Sequence, residues 1–239
     1  MRAGGRSAVL KLVALDAGPH PRWPSREDPS DPYWWQREPV AYQSGLLEPF
    51  GVPRVLACLE RRDGAIALWL EDAGDELAWT PALLAGAAER LGQAQRALVG
   101  VDAPWLARSF LPAYLELHGA DAPDPRLREL PQTICHNDFH PGNVLESGLV
   151  VDWAYCGVGA AGLDAGVLVV DGVSDDKVPP ELADEVADAV WEGYLRGFGD
   201  ASARLGFVEG VRRLRWLPRG HKSSWDVTLD LIERLASGG

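Results

Sequence analysis

Cysteine is scarce in this chain: Cys58, Cys135 and Cys156 are the only three in 239 residues. They are far apart, odd in number and without metal-ligand spacing. That excludes a disulfide-stapled scaffold and a cysteine-built zinc centre, and it predicts reduced, buried thiols in a cytoplasmic protein. Long apolar runs are also missing. No stretch reaches the roughly 18 residues a spanning helix needs, so no membrane insertion is expected. The start, Met1-Arg2-Ala3-Gly4-Gly5-Arg6, has no apolar core segment and runs straight into a strand-like stretch, which argues against a signal peptide. Positive charge is outnumbered, 23 Lys and Arg against 35 Asp and Glu, for a net charge of -12. Such a balance argues against nucleic acid, whose affinity comes from cations on phosphates. It also suits solubility, so it says little about the substrate. There is no internal repeat and no low-complexity tract. With 46% hydrophobic and 24% charged residues, the chain reads as globular, long enough for one large core or two small ones.

What is present is a compact set of oxygen-bearing side chains. The run His136-Asn137-Asp138-Phe139-His140-Pro141-Gly142-Asn143 is followed by Asp152 in Leu149-Val150-Val151-Asp152-Trp153. Phosphoryl transfer needs a carboxylate to orient and deprotonate the attacking hydroxyl, and oxygen ligands to hold a cation on the phosphates. Asp138 suits the first task, and Asn143 with Asp152 the second. Mg²⁺ is hard, prefers carboxylate and amide oxygens, and keeps several waters. His136, Asp138 and His140 would share one face of a strand, so His-x-Asp-x-His also permits a metal-dependent hydrolase. Against that, Pro141-Gly142 ends any strand at once and further ligands are not evident.

This segment resembles the catalytic loop of the aminoglycoside phosphotransferase and choline kinase-like family, with a protein kinase-like fold. The family pattern is His-Gly-Asp-x-His-x-x-Asn, a hydrophobic strand (here Val144-Leu145 through Val150-Val151), Asp-Phe/Trp, and a Gly-rich stretch ending in Asp-x-Ala. The last is matched by Gly157 to Ala165, with Asp164-Ala165 at its end. Asn137 stands where the family usually has Gly. The resemblance implies an ATP (or GTP) and Mg²⁺-dependent phosphotransferase acting on a small-molecule hydroxyl, an aminoglycoside-like compound, amino alcohol or sugar. It implies Asp138 as catalytic base and Asn143 and Asp152 as metal ligands. Lys11, alone in an apolar strand, matches the nucleotide lysine, and Glu38 the helix glutamate that pairs with it. Hinge residues around Glu71 and Asp72 would hold adenine. His136 and His140 are expected to brace the loop, Asp164 to tie it to the lower lobe, and Trp153 to be core. Trp216 and Trp225 are candidates for a substrate pocket.

The expected fold is α+β and two-lobed, with an N-lobe and hinge over 1–76 and a helical C-lobe over 77–239. Strands are predicted at 8–13, 52–60 and 66–70, the last two joined by a turn at Asp63-Gly64. A loop covers 16–32, and a helix lies within Tyr33 to Leu47, its regular part beginning close to Pro39 because proline is tolerated in a first helical turn. Further helices are predicted at 81–99, 110–118, 180–197, 201–217 and 225–235. Kinase-like folds cover the phosphates with a Gly-rich loop between two strands ahead of the lysine strand. That hairpin needs on the order of 20 residues, yet only ten precede Lys11, and Gly4-Gly5-Arg6 suits the turn just before it. The first two strands are therefore expected to be missing: either the true start lies upstream, or the fold is reduced. This leaves an exposed edge along which a second copy could pair, and it makes a nucleotide-binding pseudokinase the alternative reading.

Overall fold

Short apolar runs in the first third of the chain pair into an antiparallel sheet. Its strands are β1 (Arg2–Ala3), β2 (Arg6–Val13), β3 (Val55–Glu60) and β4 (Ile66–Glu71), in the order β1-β2-β4-β3. The computed structural model describes residues 2–3, 6–15, 25–77, 79–174, 177–213 and 225–237. The expected Gly4-Gly5 turn and residues 16–24 of the expected loop lie outside the described residues, as do Trp216 and the side chain of Trp225. Lys11 pairs with the buried Leu68, so both lie on one face of the sheet, while Leu10, Leu12 and Leu59 are exposed. Among the described residues, Val9 to Val13 pair only with β4. The β3–β4 connection turns at Gly64, which takes φ +81°, a value that favours glycine.

Helix α1 (Arg37–Gln43) begins two residues before Pro39. Proline is tolerated in a first turn, and its bias against a helical Glu38 is overcome by tertiary contacts. The buried Arg37 guanidinium donates to the carbonyls of Pro29, Asp31, Pro32 and Trp105 at 2.6–3.1 Å, tying the helix start to two loops.

The rest is mainly helical: α2 (Pro81–Ala97), α3 (Phe110–Leu117), α4 (Leu163–Ser174), α5 (Ala183–Phe198), α6 (Arg204–Arg212) and α7 (Trp225–Ser237). Helix α2 starts on Thr80, whose hydroxyl accepts from the Leu83 N–H, with Pro81 in the first turn. It buries Leu84, Ala87, Ala88, Leu91 and Ala94. A short hairpin of β5 (Gln132–Cys135) and β6 (Gly157–Ala160) carries the segment with the Asp and Asn residues between its strands. Two helix contacts depend on absent side chains: a Cβ on Gly193 of α5 would lie 2.2 Å from Ala85 O, and one on Gly166 of α4 would lie 2.1 Å from Phe207 O. Helix α4 was not anticipated from sequence. The expected strand at 144–151 is instead a tight turn closed by a bridge from Val144 to Val150, with Leu145 bridging Glu76. Upper sheet and lower helices make a two-lobed, protein kinase-like α+β fold. No described helix is long and apolar enough to cross a membrane.

Candidate active site

The loop between β5 and the Val144–Val150 bridge is held from beneath by one buried carboxylate. Asp164, in the first turn of α4, accepts from the His136 N–H at 2.7 Å and the Asn137 N–H at 2.9 Å, and from Gln95 Nε2 at 2.9 Å. Burial raises its pKa above the ordinary range, although His136, the Asn137 N–H and Arg213 oppose the rise. Asn137 takes φ +66°, a strained value for a residue with a side chain, and its amide secures the turn by donating to Tyr155 O at 2.8 Å. Asparagine tolerates this conformation better than most residues, which explains how it stands where glycine is usual.

Both histidines hydrogen-bond the loop backbone. His136 is fully buried against Trp153, accepts from the Asp138 N–H at Nδ1 (3.2 Å) and lies 2.8 Å from Val151 O at Nε2. Those partners require the neutral tautomer with a proton on Nε2, and burial lowers its pKa in keeping with that. With both nitrogens engaged, His136 is not available as a metal ligand. His140 caps the short turn Pro141–Asn143 by accepting from the Gly142 N–H at 3.1 Å. Among the described residues, no three of His, Cys, Asp or Glu converge to hold a metal ion.

Asp138 leaves its carboxylate partly exposed, 3.6 Å from Arg213 Nη2 and 3.9 Å from His140 Nε2. Its carbonyl accepts from Asn143 Nδ2 at 2.9 Å, which fixes the plane of the Asn143 amide. Asn143 O in turn accepts from the Val151 N–H at 3.0 Å, setting the loop beside the residue that precedes Asp152. Asp152 takes φ +65°.

Lys11 reaches across from the sheet. Its Nζ lies 2.6 Å from Glu38 Oε1 and 2.7 Å from Asp152 Oδ1. One cation thus serves two anions of very different exposure, 4% for the Glu38 side chain and 45% for Asp152. Burial works against the Lys11 charge, but the two carboxylates outweigh it and raise its pKa. Burial pushes Glu38 up to about 7; Lys11 opposes the rise and the charge of Asp152 adds to it. Burial also acts to raise Asp152, but Lys11 prevails and lowers it.

Lys11, Glu38, Glu71, Asp72, Asn143 and Asp152 all line one cleft of about 290 Å³, with Val9, Leu70 and Leu145 among its apolar walls. Asp138 is not part of that lining. The Glu71 carboxylate accepts from the Arg54 N–H at 2.8 Å, and Asp72 accepts from the Gly74 N–H at 3.3 Å. Sequence reasoning missed Arg213 altogether; it belongs to no local motif and lies 75 residues beyond Asp138.

The family model described as the phosphotransferase enzyme family matches residues 39–205, well over half of the chain. That span includes Asp138, Asn143 and Asp152 but stops short of Lys11, Glu38 and Arg213. A comparison with curated proteins gave no significant match. Among solved structures the chain is similar to the amicoumacin kinase hAmiN in complex with AMP-PNP, Ca²⁺ and Ami, at 12% identity over 98% of this chain and 83% of that one, with TM-score 0.54. It is also similar to an aminoglycoside-3'-phosphotransferase of type VIII, at 18% identity over 90% and 86% with TM-score 0.53. A third is the AMP-bound spectinomycin phosphotransferase APH(9)-Ia, at 13% identity over 98% and 89% with TM-score 0.53. These likenesses concern the fold; the family match concerns the sequence, and by it the chain belongs to the phosphotransferase enzyme family.

Proposed function

We propose that this chain is a small-molecule kinase that transfers the terminal phosphoryl group of ATP (or GTP) to a hydroxyl of an aminoglycoside-like compound, amino alcohol or sugar. The observation that carries the reading is Lys11 held between Glu38 and Asp152 in the same cleft as Asn143. An ammonium fixed by a buried carboxylate beside a second, accessible carboxylate suits a nucleotide polyphosphate with its counter-ion.

Asn143 and Asp152 would hold Mg²⁺. The amide nitrogen of Asn143 is committed to Asp138 O, which leaves its oxygen for a cation, and Asp152 offers a partly exposed carboxylate. Two hard oxygen donors, with water and phosphate completing the shell, fit this ion better than a transition metal. When bound, the ion would supply charge neutralisation on the transferred group. Asp138 orients the acceptor hydroxyl and takes its proton. Lys11 binds the α- and β-phosphates, and Glu38 keeps Lys11 extended toward them. Backbone groups near Glu71 and Asp72 receive adenine; the side chains there are turned to Arg54 and Gly74. The lobes divide near residue 76. The acceptor is assigned to a cavity of about 390 Å³ between α3, the 121–125 segment and α6, because its wall includes Arg213, the neighbour of Asp138. We place the reaction in the cytoplasm, where the free thiols stay reduced.

The pseudokinase alternative finds no support in these comparisons, and a disabled site has no need of Asp138, Asn143 and Asp152 together. The test is consumption of MgATP by the chain against hydroxylated metabolites and aminoglycosides. The reading predicts consumption that depends on one acceptor class and yields its phosphate ester. No consumption with any acceptor, together with no nucleotide binding, contradicts it.

A further inference from the structure

Arg213 follows the last residue of α6, yet only 6% of its side chain is exposed. Its Nη1 donates to Asn137 O at 2.6 Å. Its Nη2 stands 3.6 Å from Asp138 Oδ1 and 3.6 Å from Asp171 Oδ2, and its Cζ lies 5.1 Å from the ring centroid of Tyr114. Three features of this arrangement bear on Asp138. The strong bond goes to the backbone carbonyl of Asn137, the residue held at positive φ directly before Asp138, so the guanidinium fixes the peptide from which that carboxylate springs. The approach to Asp138 is attractive but longer than a hydrogen bond, so it need not occupy the oxygen lone pairs that an acceptor hydroxyl would use. Asp171, 6% exposed on α4, balances Asp138 on the same nitrogen. Removing that balance would let the guanidinium close onto Asp138 and occupy the base. The planar fork of arginine can serve a carbonyl and flank two carboxylates at once; an ammonium has no such fixed geometry.

We propose that Arg213 is a positioning residue for phosphoryl transfer: it locks the Asn137–Asp138 peptide and orients the Asp138 carboxylate without capping it, while Asp171 holds the guanidinium at that standoff. The proposal rests on the kinase reading above. The competing account is a purely structural ion pair, in which Arg213 only neutralises the buried Asp171.

The experiment uses the full chain with MgATP, following phosphate release with water as acceptor, alongside MgATP binding and thermal unfolding. Wild type, Arg213→Met, Arg213→Lys, the double variant Arg213→Met with Asp171→Asn, and Asp138→Asn are compared. Arg213→Met should lower kcat on the order of 100-fold, the scale of a misplaced catalytic group, with KM for MgATP near wild type because Arg213 does not line the nucleotide cleft. Arg213→Lys should recover part of the rate. Arg213→Met alone strands a buried carboxylate and can unfold the chain. The double variant removes both charges and keeps the fold; it should remain as slow as expected for the single change. Wild-type turnover in the folded double variant overturns the proposal in favour of the structural pair, as does an Arg213→Met protein that changes KM for MgATP but not kcat. Those outcomes leave the kinase reading standing. A wild type that neither binds nor hydrolyses MgATP, or an Asp138→Asn variant as active as wild type, overturns that reading and the proposal with it.

Discussion

Replacing Asp164 by alanine should cost about 2–4 kcal/mol of stability. The figure follows from counting donors. His136 and Asn137 are buried, and among the described residues their N–H groups have Asp164 as their hydrogen-bond acceptor. A buried donor left without a partner costs about 1–3 kcal/mol, so two cost about 2–6. Gln95 adds little, because its Nε2 also lies 3.3 Å from Ile134 O and its Oε1 still receives the Tyr194 hydroxyl at 2.7 Å. An offset comes from the carboxylate itself: burial disfavours its charge, as its raised pKa shows, and alanine removes that penalty. The lower part of the range is therefore expected. Urea unfolding should show the midpoint falling with an unchanged slope, the signature of lost stability without altered compactness. Turnover should fall too, because Asp164 holds the His136 and Asn137 N–H groups and so sets the backbone that leads into Asp138. A loss below about 1 kcal/mol would refute the donor count, showing that water or a shifted Gln95 satisfies the loop.

Glu38 carries a pH dependence. Its pKa near 7 in the folded chain exceeds the usual 4.5, so the folded state holds more proton than the unfolded between those values. Its contribution to stability is therefore present below pH 4.5 and is lost as pH rises toward 7. Glu38→Gln should flatten that slope in unfolding midpoints measured across the window; an unchanged slope would assign it elsewhere. Asp152→Ala should weaken MgATP binding more than Asn143→Ala, because a carboxylate offers a full charge and an amide a dipole. Calorimetric titration decides this, and undiminished affinity in both variants would remove the metal assignment.

The segment proposed to be catalytic was legible because its residues are close in sequence. Asp138, Asn143 and Asp152 lie within fifteen residues, and spacing alone brings them to one loop. The pairing of Lys11 with Glu38 spans 27 residues and could be anticipated only from the family pattern. Helix α4 was missed because every residue of Leu163–Ser174 is buried, so the segment has no polar face and therefore no 3.6-residue alternation to read. The start of α1 close to Pro39 was legible because proline is tolerated in a first turn; what the sequence did not show is that the four carbonyls gathered by Arg37 and the Lys11–Glu38 bond hold the residues before that proline in the helix. Glu71 and Asp72 do line the expected cleft, but a sequence cannot say that the Glu71 carboxylate turns to Arg54. Arg213 was invisible for the same reason as most long-range partners: only the packing of α6 against α4 brings it to Asp138.

The central claim is that Asp138 takes the acceptor proton in a nucleotide site built from Lys11, Asn143 and Asp152. Its most direct test is Asp138→Asn, nearly the same shape but unable to accept that proton, measured for phosphoryl transfer to an acceptor found in the MgATP screen and for MgATP affinity. The account predicts a rate lower by about 10² to 10⁴-fold, the usual scale for a lost general base, with nucleotide affinity intact because Asp138 does not line that cleft. Transfer at the wild-type rate would contradict it.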